Sequence, residues 1–494
     1  MHQSFFNEIN KIDFNSDFIF DDIDGRTYSY NEFFRASLAI ADVICEEISH
    51  SIIVAIMENS INLFMLYFAV AMTDKTIAVI DPQKGDAEIK RIVEGISDAY
   101  VILDESWDRD CIQIKDRNPF FDFDPKKYEE VIDVKGIFID RIIKRNKEEV
   151  YLLTFTSGTT GETKGVEHTF CNLVLSALAL NGKVNVYGGV FLHVMPMTYM
   201  AGILNSIIFP FIIGAKIVIT KRFSVATAGG FWKKVTKYGA NLFWLSPSML
   251  MLIDRLDRDN IGENYCRNNK PVFLIGTAAL TDELRKRFSY RYGVNLYASY
   301  GLSETLFVSV ETPESLNNCN KNCVGEMLEG VSYKLGNGNE LLISVPWMFS
   351  RYSNTETNKF FDEEYYKSGD LALVHNGLLY ITGRLKELIV KGGMNISPVL
   401  MENTIMELSD VEEVVISGVS DGKGEERILC TYSKKNKNIN DIIVEKNIRS
   451  IINRKLGKNY SIDYFEAVES IIRNINGKID RNTIKDNWER KMNS

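Results

Sequence analysis

Short apolar runs alternate along the chain with stretches in which apolar residues recur every three or four positions. From Ser51 the text reads SIIVAIM, INLFMLYFAVAM, TIAVID, AEIKRIVEGIS and AYVILD. Brief runs rich in β-branched residues predict strands buried on both faces, and the longer segments between them predict helices. Strand, helix, strand, helix, strand is the rhythm of a parallel sheet with covering helices. The rhythm resumes with FLHVMPM, KIVITK, ANLFWLS, PVFLIG and VNLYASYG, separated by helical stretches such as GFWKKVTKYG and TDELRKRFSYRYG. From about Asn318 the strands come closer together, and SYKLGNGNELLISV and LALVHNGLLYITGR predict an antiparallel subdomain. After Arg384 a smaller segment begins with strands and helices of its own, in which KKNKNIND reads as a solvated loop. The predicted fold is α/β. A large N-terminal domain, residues 1–384, holds two helix-covered β-sheets and an antiparallel β subdomain, and residues 385–494 form a small α+β domain.

The 494 residues, 45% hydrophobic and 25% charged, are too many for one simple core and call for two or more domains. A formal net charge of −9 speaks against nucleic acid as the main partner, because phosphate backbones are gripped by clustered Lys and Arg. Met1 to Phe20 has neither a basic start nor a continuous apolar stretch, so no signal peptide is expected and the cytoplasm is the expected compartment. The longest apolar stretch, Ile203 to Ile219, is interrupted by Asn205, Pro210 and Lys216 and is short for a membrane span of about 20 residues. A buried helix followed by a strand is expected there. Seven cysteines are scattered along the chain, as suits a reducing compartment. Cys319 and Cys323, the one close pair, lack nearby histidines and read as two unrelated loop thiols, not as a zinc site.

One loop changes this picture. TFTSGTTGETKG, residues 154–165, follows the buried strand YLLTF and precedes a predicted helix. Glycines let a backbone approach an anion closely, hydroxyls and amides donate to its oxygens, and a lysine adds charge, so polyphosphate is the natural ligand. The Walker A loop ends in Gly-Lys-Ser/Thr, whereas here Thr163 precedes Lys164 and Gly165 follows it.

The loop is the first of five motifs. YGLSET (Tyr300 to Thr305), SGD (Ser368 to Asp370), GRLKELIVKGG (Gly383 to Gly393) and NGKIDR (Asn476 to Arg481) follow in that order. Together they resemble the adenylate-forming superfamily of acyl- and aryl-CoA ligases, peptide-synthetase adenylation domains and beetle luciferases, from RTYSYNEF near Arg26 to NGKIDR. The resemblance implies two half-reactions. A carboxylate attacks the α-phosphate of ATP and releases pyrophosphate, and the mixed anhydride then acylates a thiol. It implies that Thr156, Ser157, Gly158, Thr159, Thr160 and Lys164 hold the β- and γ-phosphates, with Thr163 standing where the family often has proline. It implies that Tyr300 stacks on adenine beside Gly301, that Glu304 binds Mg²⁺, and that Thr305 donates to the α-phosphate. A hard cation between carboxylate and phosphate oxygens is chemically apt. Asp370 would accept both ribose hydroxyls, as a carboxylate with two acceptor oxygens can, and Arg384 would be a second contact. Lys478 would bridge the attacking carboxylate and the α-phosphate, although Ile471 and Ile472 stand where the family usually has proline. Lys386 would be the hinge about which the small, mobile domain rotates between half-reactions, and Gly392 and Gly393 would line the thiol's tunnel.

PMTYMAG, Pro196 to Gly202, is similar to the family segment that carries an aromatic gate, here Tyr199. Amino-acid-activating members place an aspartate next, but this chain has Met200, and a buried ammonium beside methionine would be costly. Trp244, Met249, Gly276, Thr277, Ala278, Gly301 and Leu302 are the other candidate walls. They are mostly apolar or small, as suits an aryl or medium aliphatic acid. The expected activity is therefore ATP- and Mg²⁺-dependent activation of a small carboxylic acid, with transfer to CoA. Transfer to the phosphopantetheine arm of an acyl carrier protein, a luciferase-like monooxygenase and a non-catalytic nucleotide-binding scaffold are the alternatives.

Overall fold

The computed structural model describes residues 2–104, 107, 109, 133–157, 163–319, 321–391, 394–420, 426–473 and 479–492. A six-stranded sheet runs in the order Arg351–Tyr352, Thr163–Thr169, Val150–Ser157, Thr76–Val79, Ile52–Ile56 and Ala99–Leu103, the last four mutually parallel. A second sheet of fourteen strands begins at Thr27–Ser29. It continues through Asp17–Asp21, Lys216–Ile219, Val190–His193, Leu242–Leu245 and Val272–Ile275 to Leu296–Leu302. From there it turns antiparallel, through Leu306–Val310, Cys323–Met327, Leu378–Arg384, Tyr365–His375, Glu340–Ser344 and Ser332–Leu335. The predicted antiparallel subdomain is thus continuous with the second parallel sheet. Strand Leu296–Leu302 belongs to both: Leu296 to Ala298 pair in parallel with Phe273 to Ile275, while Ser299 to Leu302 pair antiparallel with Leu306 to Val310.

Between the sheets lies a large apolar core in which Phe18, Phe33, Phe34, Phe64, Phe68 and Phe211 contact one another. Helix Ile61–Ala71, capped by the Ser60 hydroxyl, is apolar all round because neighbours cover every side of it. The stretch expected as helix then strand does bury itself, but its first eight residues, Ala201–Ile208, wind as a π-helix before Phe209–Ile212 and strand Lys216–Ile219.

Beyond Arg384 a hairpin, Ile389–Lys391 with Met394–Ile396, leads to a three-stranded sheet packed with helices Pro398–Ile405, Asp441–Lys455 and Arg481–Met492. Its apolar side chains form clusters separate from the large core. It meets the rest of the chain through polar contacts, among them Lys321 with Glu407, Asn403 with Asn322, and the Ser397 hydroxyl on the Thr382 carbonyl.

Two expectations are corrected. The TFTSGTTGETKG loop does not lead straight into its helix: strand Thr163–Thr169 stands between them and returns antiparallel to Val150–Ser157. The helix starts only at Phe170, where the Thr169 hydroxyl accepts from the Asn172 amide. The loop therefore joins two strands and has no helix N-terminus behind it. Cys319 and Cys323 are not unrelated thiols: the turn between them brings their Cα atoms to 5.4 Å, and they form a disulfide. Glu311 lies beside them, but Arg285 and the Ala298 amide take up its carboxylate, which leaves no cation site there.

Candidate active site

The two sheets bring their motif-bearing ends together. Lys164 lies opposite Thr156 across the hairpin, and its ammonium stands over the rings of Phe360, at 3.8 Å, and Tyr352, at 4.9 Å. Desolvation, with Lys386 and Lys359 nearby, lowers its pKa. Gly158, Thr159 and Thr160 lie outside the described residues, and Ser157 is placed here only as backbone opposite Thr163. The Tyr352 hydroxyl donates to Glu304 Oε1 at 2.6 Å, and the Tyr366 hydroxyl also reaches this carboxylate. Burial, and then the neighbouring Glu304 charge, raises the Tyr352 pKa, so the phenol stays a donor. Behind Glu304, the buried His168 ring donates from Nε2 to the Ser303 carbonyl at 2.6 Å, which ties the strand after the loop to the YGLSET turn.

The Tyr300 hydroxyl donates to Asp370 Oδ2 at 2.7 Å, and Arg384 Nε donates to Oδ1 at 2.7 Å. Asp370 and Arg384 are directly paired across strands Tyr365–His375 and Leu378–Arg384, which fixes this contact by register. Asp370 is buried, and the Arg384 guanidinium remains half exposed. Gly301 cannot carry a side chain, because a Cβ would collide with the Leu306 carbonyl oxygen. Thr305 is drawn away from the surface. It is fully buried, its hydroxyl accepts from the Leu302 amide, and its carbonyl receives Trp347 Nε1–H.

A family model for AMP-binding enzymes matches residues 14–353, well over half of the chain. The chain belongs to the AMP-binding enzyme family. Among curated relatives of this AMP-binding enzyme, acyl-CoA synthetase 7 of Caenorhabditis elegans is 26% identical over 367 residues, 69% of this chain. That match spans 65% of the nematode protein's length. The 2-succinylbenzoate–CoA ligase of Bacillus subtilis is 26% identical over 393 residues, which cover 74% of this chain and 76% of that one. The fold is similar to anthranilate CoA ligase AuaEII solved with anthranoyl-AMP, at a TM-score of 0.82 and 15% identity over 100% of this chain and 98% of that one. It is also similar to ATP-bound MatB from Rhodopseudomonas palustris, at 0.80 and 18% over 99% of each.

In this AMP-binding enzyme the candidate acyl walls divide. Trp244 is buried, stacked on Phe307 with ring centroids 5.1 Å apart and edge-on to Phe209. Gly276 lies against it, since a Cβ there would stand 2.8 Å from Trp244 Nε1. Met200 is buried at the start of the π-helix, and Tyr199 and Leu302 are partly exposed. Thr277 adopts a left-handed φ of 68° at the turn, and Ala278 is exposed. Lys386 is exposed in the turn Leu385–Glu387. Lys478, Gly392 and Gly393 lie outside the described residues, although Arg473 and Ile479, either side of residues 474–478, form an antiparallel bridge. Sequence reasoning missed Tyr352, Tyr366, Phe360 and His168. It also missed Arg481, which pairs with Glu402 and with Glu387 in the turn of Lys386. A buried histidine and an arginine inside NGKIDR were legible signals; the aromatic residues were not, because they read as ordinary strand.

Proposed function

We propose that this chain activates a carboxylic acid with ATP as an acyl-AMP, releases pyrophosphate, and passes the acyl group to a thiol, CoA, as a thioester. The observation that carries this reading is the facing pair of clusters, Lys164–Tyr352–Glu304 and Tyr300–Asp370–Arg384, inside an AMP-binding fold. Names of relatives such as 2-succinylbenzoate–CoA ligase support it. Asp370 holds the ribose diol through the lone pairs that Tyr300 and Arg384 leave free, and the Tyr300 ring lies against the base. Lys164 and the loop hydroxyls of Thr156, Ser157, Thr159 and Thr160 restrain the departing pyrophosphate. The Glu304 carboxylate, held by two neutral phenols, has the hard oxygen donors that Mg²⁺ takes. Glu304 would hold Mg²⁺ there, and the ion would supply positive charge against the phosphates. Lys478 supplies a cation to the reacting oxygens, and rotation of residues 385–494 about Lys386 withdraws it and brings Gly392 and Gly393 to the thiol's path.

The test is pyrophosphate release with ATP and a panel of aryl and aliphatic acids. Lys478→Ala should abolish adenylation, by 100-fold or more on the order of what one transition-state contact supplies, while a supplied acyl adenylate is still converted to thioester. Normal adenylation by Lys478→Ala would overturn that role. Comparing free CoA with a carrier protein's phosphopantetheine arm decides the acceptor. We place this activity in the cytoplasm. Among the described residues no helix is long and apolar enough to cross a membrane.

A further inference from the structure

The disulfide between Cys319 and Cys323 closes the same turn on which the small domain docks. Cys319 is partly exposed, Cys323 is buried at the start of strand Cys323–Met327, and both pack near Leu378 and Tyr380 of strand Leu378–Arg384. Lys321 and Asn322 lie between them. The Lys321 ammonium pairs with Glu407 at 2.6 Å, and Asn322 Oδ1 accepts from Asn403 Nδ2 at 2.8 Å. The Asn322 carbonyl accepts from the Ile381 amide at 3.1 Å, and the neighbouring Thr382 carbonyl receives the Ser397 hydroxyl at 3.0 Å. That strand runs on to Arg384 and the turn of Lys386. Elsewhere Lys435 of the small domain reaches Glu283, and Arg481 reaches Glu387 in that turn.

Asn322 has a left-handed φ of 65°, a conformation that costs an L residue energy, although Asn tolerates it better than most. The closed bond leaves the turn few conformations, so Lys321 and Asn322 are presented to Glu407 and Asn403 in one arrangement. With the bond open, Asn322 is free to return to the right-handed region. That change carries its side chain from Asn403 and its carbonyl from the Ile381 amide.

We propose that Cys319–Cys323 is a reversible oxidation site whose closed form latches the small domain in the orientation seen here, so that reduction by a dithiol frees the domain to rotate. The use of that rotation in turnover rests on the acid-activating reading; the latch does not. In the cytoplasm proposed above, disulfides are transient and serve sensing or catalysis. A thiolate of the reductant attacks the exposed Cys319 Sγ, the S–S bond breaks, and Cys323 leaves as a thiolate that takes up a proton. The reductant's second thiol then displaces Cys319 as a thiol and closes a cyclic disulfide, so two electrons pass to the protein.

The experiment follows amide hydrogen exchange in the full chain without substrates, after diamide or dithiothreitol, with free thiols identified by alkylation and mass spectrometry. Reduction should open Cys319 and Cys323 to alkylation and speed exchange in residues 398–408 by about fivefold or more, while the core helix Ile61–Ala71 does not change. Cys319→Ser should exchange like the reduced protein and ignore dithiothreitol. Asn322→Gly, which keeps the left-handed turn but deletes the amide that Asn403 holds, should combine with Lys321→Ala to loosen the same residues with the disulfide intact. Identical exchange in the oxidised and reduced protein would overturn the latch, and so would a dithiothreitol response that persists in Cys319→Ser. Full alkylation of both cysteines after diamide would overturn the oxidation site itself. Loosening on reduction in a protein that releases no pyrophosphate with any acid would support the latch and overturn the acid-activating reading.

Discussion

The two ends of the site differ in how their polar groups are satisfied. At the nucleotide end Tyr300, Arg384 and Asp370 bond one another, and Tyr352, Tyr366 and Glu304 do the same. Around the candidate acyl walls, Trp244 Nε1 is buried with no hydrogen-bond partner among the described residues. A site whose groups are already bonded is held in shape before its ligand arrives, and the ligand adds to or exchanges those bonds. A site with orphaned groups leaves its last bonds to the ligand, so the wrong ligand is penalised. On the proposed reading, the cluster around Asp370 and Glu304 is organised for affinity and placement, and the wall around Trp244 for discrimination.

The largest effect that would test this contrast is at Asp370. Asp370→Ala removes the carboxylate that both Tyr300 and Arg384 hold, and should lower kcat/KM for ATP about 10³-fold, as expected for losing two bonds to a charged group. Steady-state kinetics at saturating acid measures it. A change below tenfold would show that the cluster is scaffolding and not a ribose site.

Next in size is acid lability, since one buried histidine serves each end. His168 and His193 are both held at about 4 by burial, below the ordinary 6.5. The folded state therefore refuses protons that the unfolded chain accepts between about pH 6.5 and 4. The stability these rings contribute is complete above pH 6.5 and is lost as pH falls through that window. Each is worth on the order of 3 kcal/mol at full shift. Urea unfolding at several pH values should show midpoints falling across the window, and His168→Leu or His193→Leu should each remove about half the slope. An unchanged slope in either variant would mean that its ring titrates normally.

The smallest effect is at Tyr352. Tyr352→Phe keeps the ring under Lys164 but removes the hydroxyl from Glu304, and should raise the Mg²⁺ concentration for half-maximal rate by about fivefold, roughly one hydrogen bond. If the Mg²⁺ dependence does not move, that phenol does not position the carboxylate.

Much of this was legible in the sequence. The alternation of SIIVAIM, INLFMLYFAVAM and TIAVID placed strands and a helix close to where they stand, because burial on both faces leaves a continuous apolar signature. That Tyr300, Asp370 and Arg384 belong together was legible, because each sits inside a local motif. Strand Thr163–Thr169, between the loop and helix Phe170–Val184, was not anticipated, because the pairing that holds it extended comes from Val150–Ser157 and Arg351–Tyr352. The partners of Glu304 escaped notice for a similar reason. Tyr352 is 48 residues away in the chain and arrives only through sheet topology. The disulfide escaped because spacing alone does not say that a turn folds back.

Strand Leu296–Leu302 acts as a ruler between the two chemistries. Its Ser299 lies beside Gly276 and the indole, while the next residue, Tyr300, bonds to Asp370. At about 3.3 Å per residue, a single peptide unit separates this strand's contact with Gly276 from its contact with Asp370, with no loop to adjust between them. Inserting one residue there would send Tyr300 to the opposite face and misalign both partners together. The acyl end can therefore change its lining on neighbouring strands without loss of alignment, provided the count along this one strand is kept.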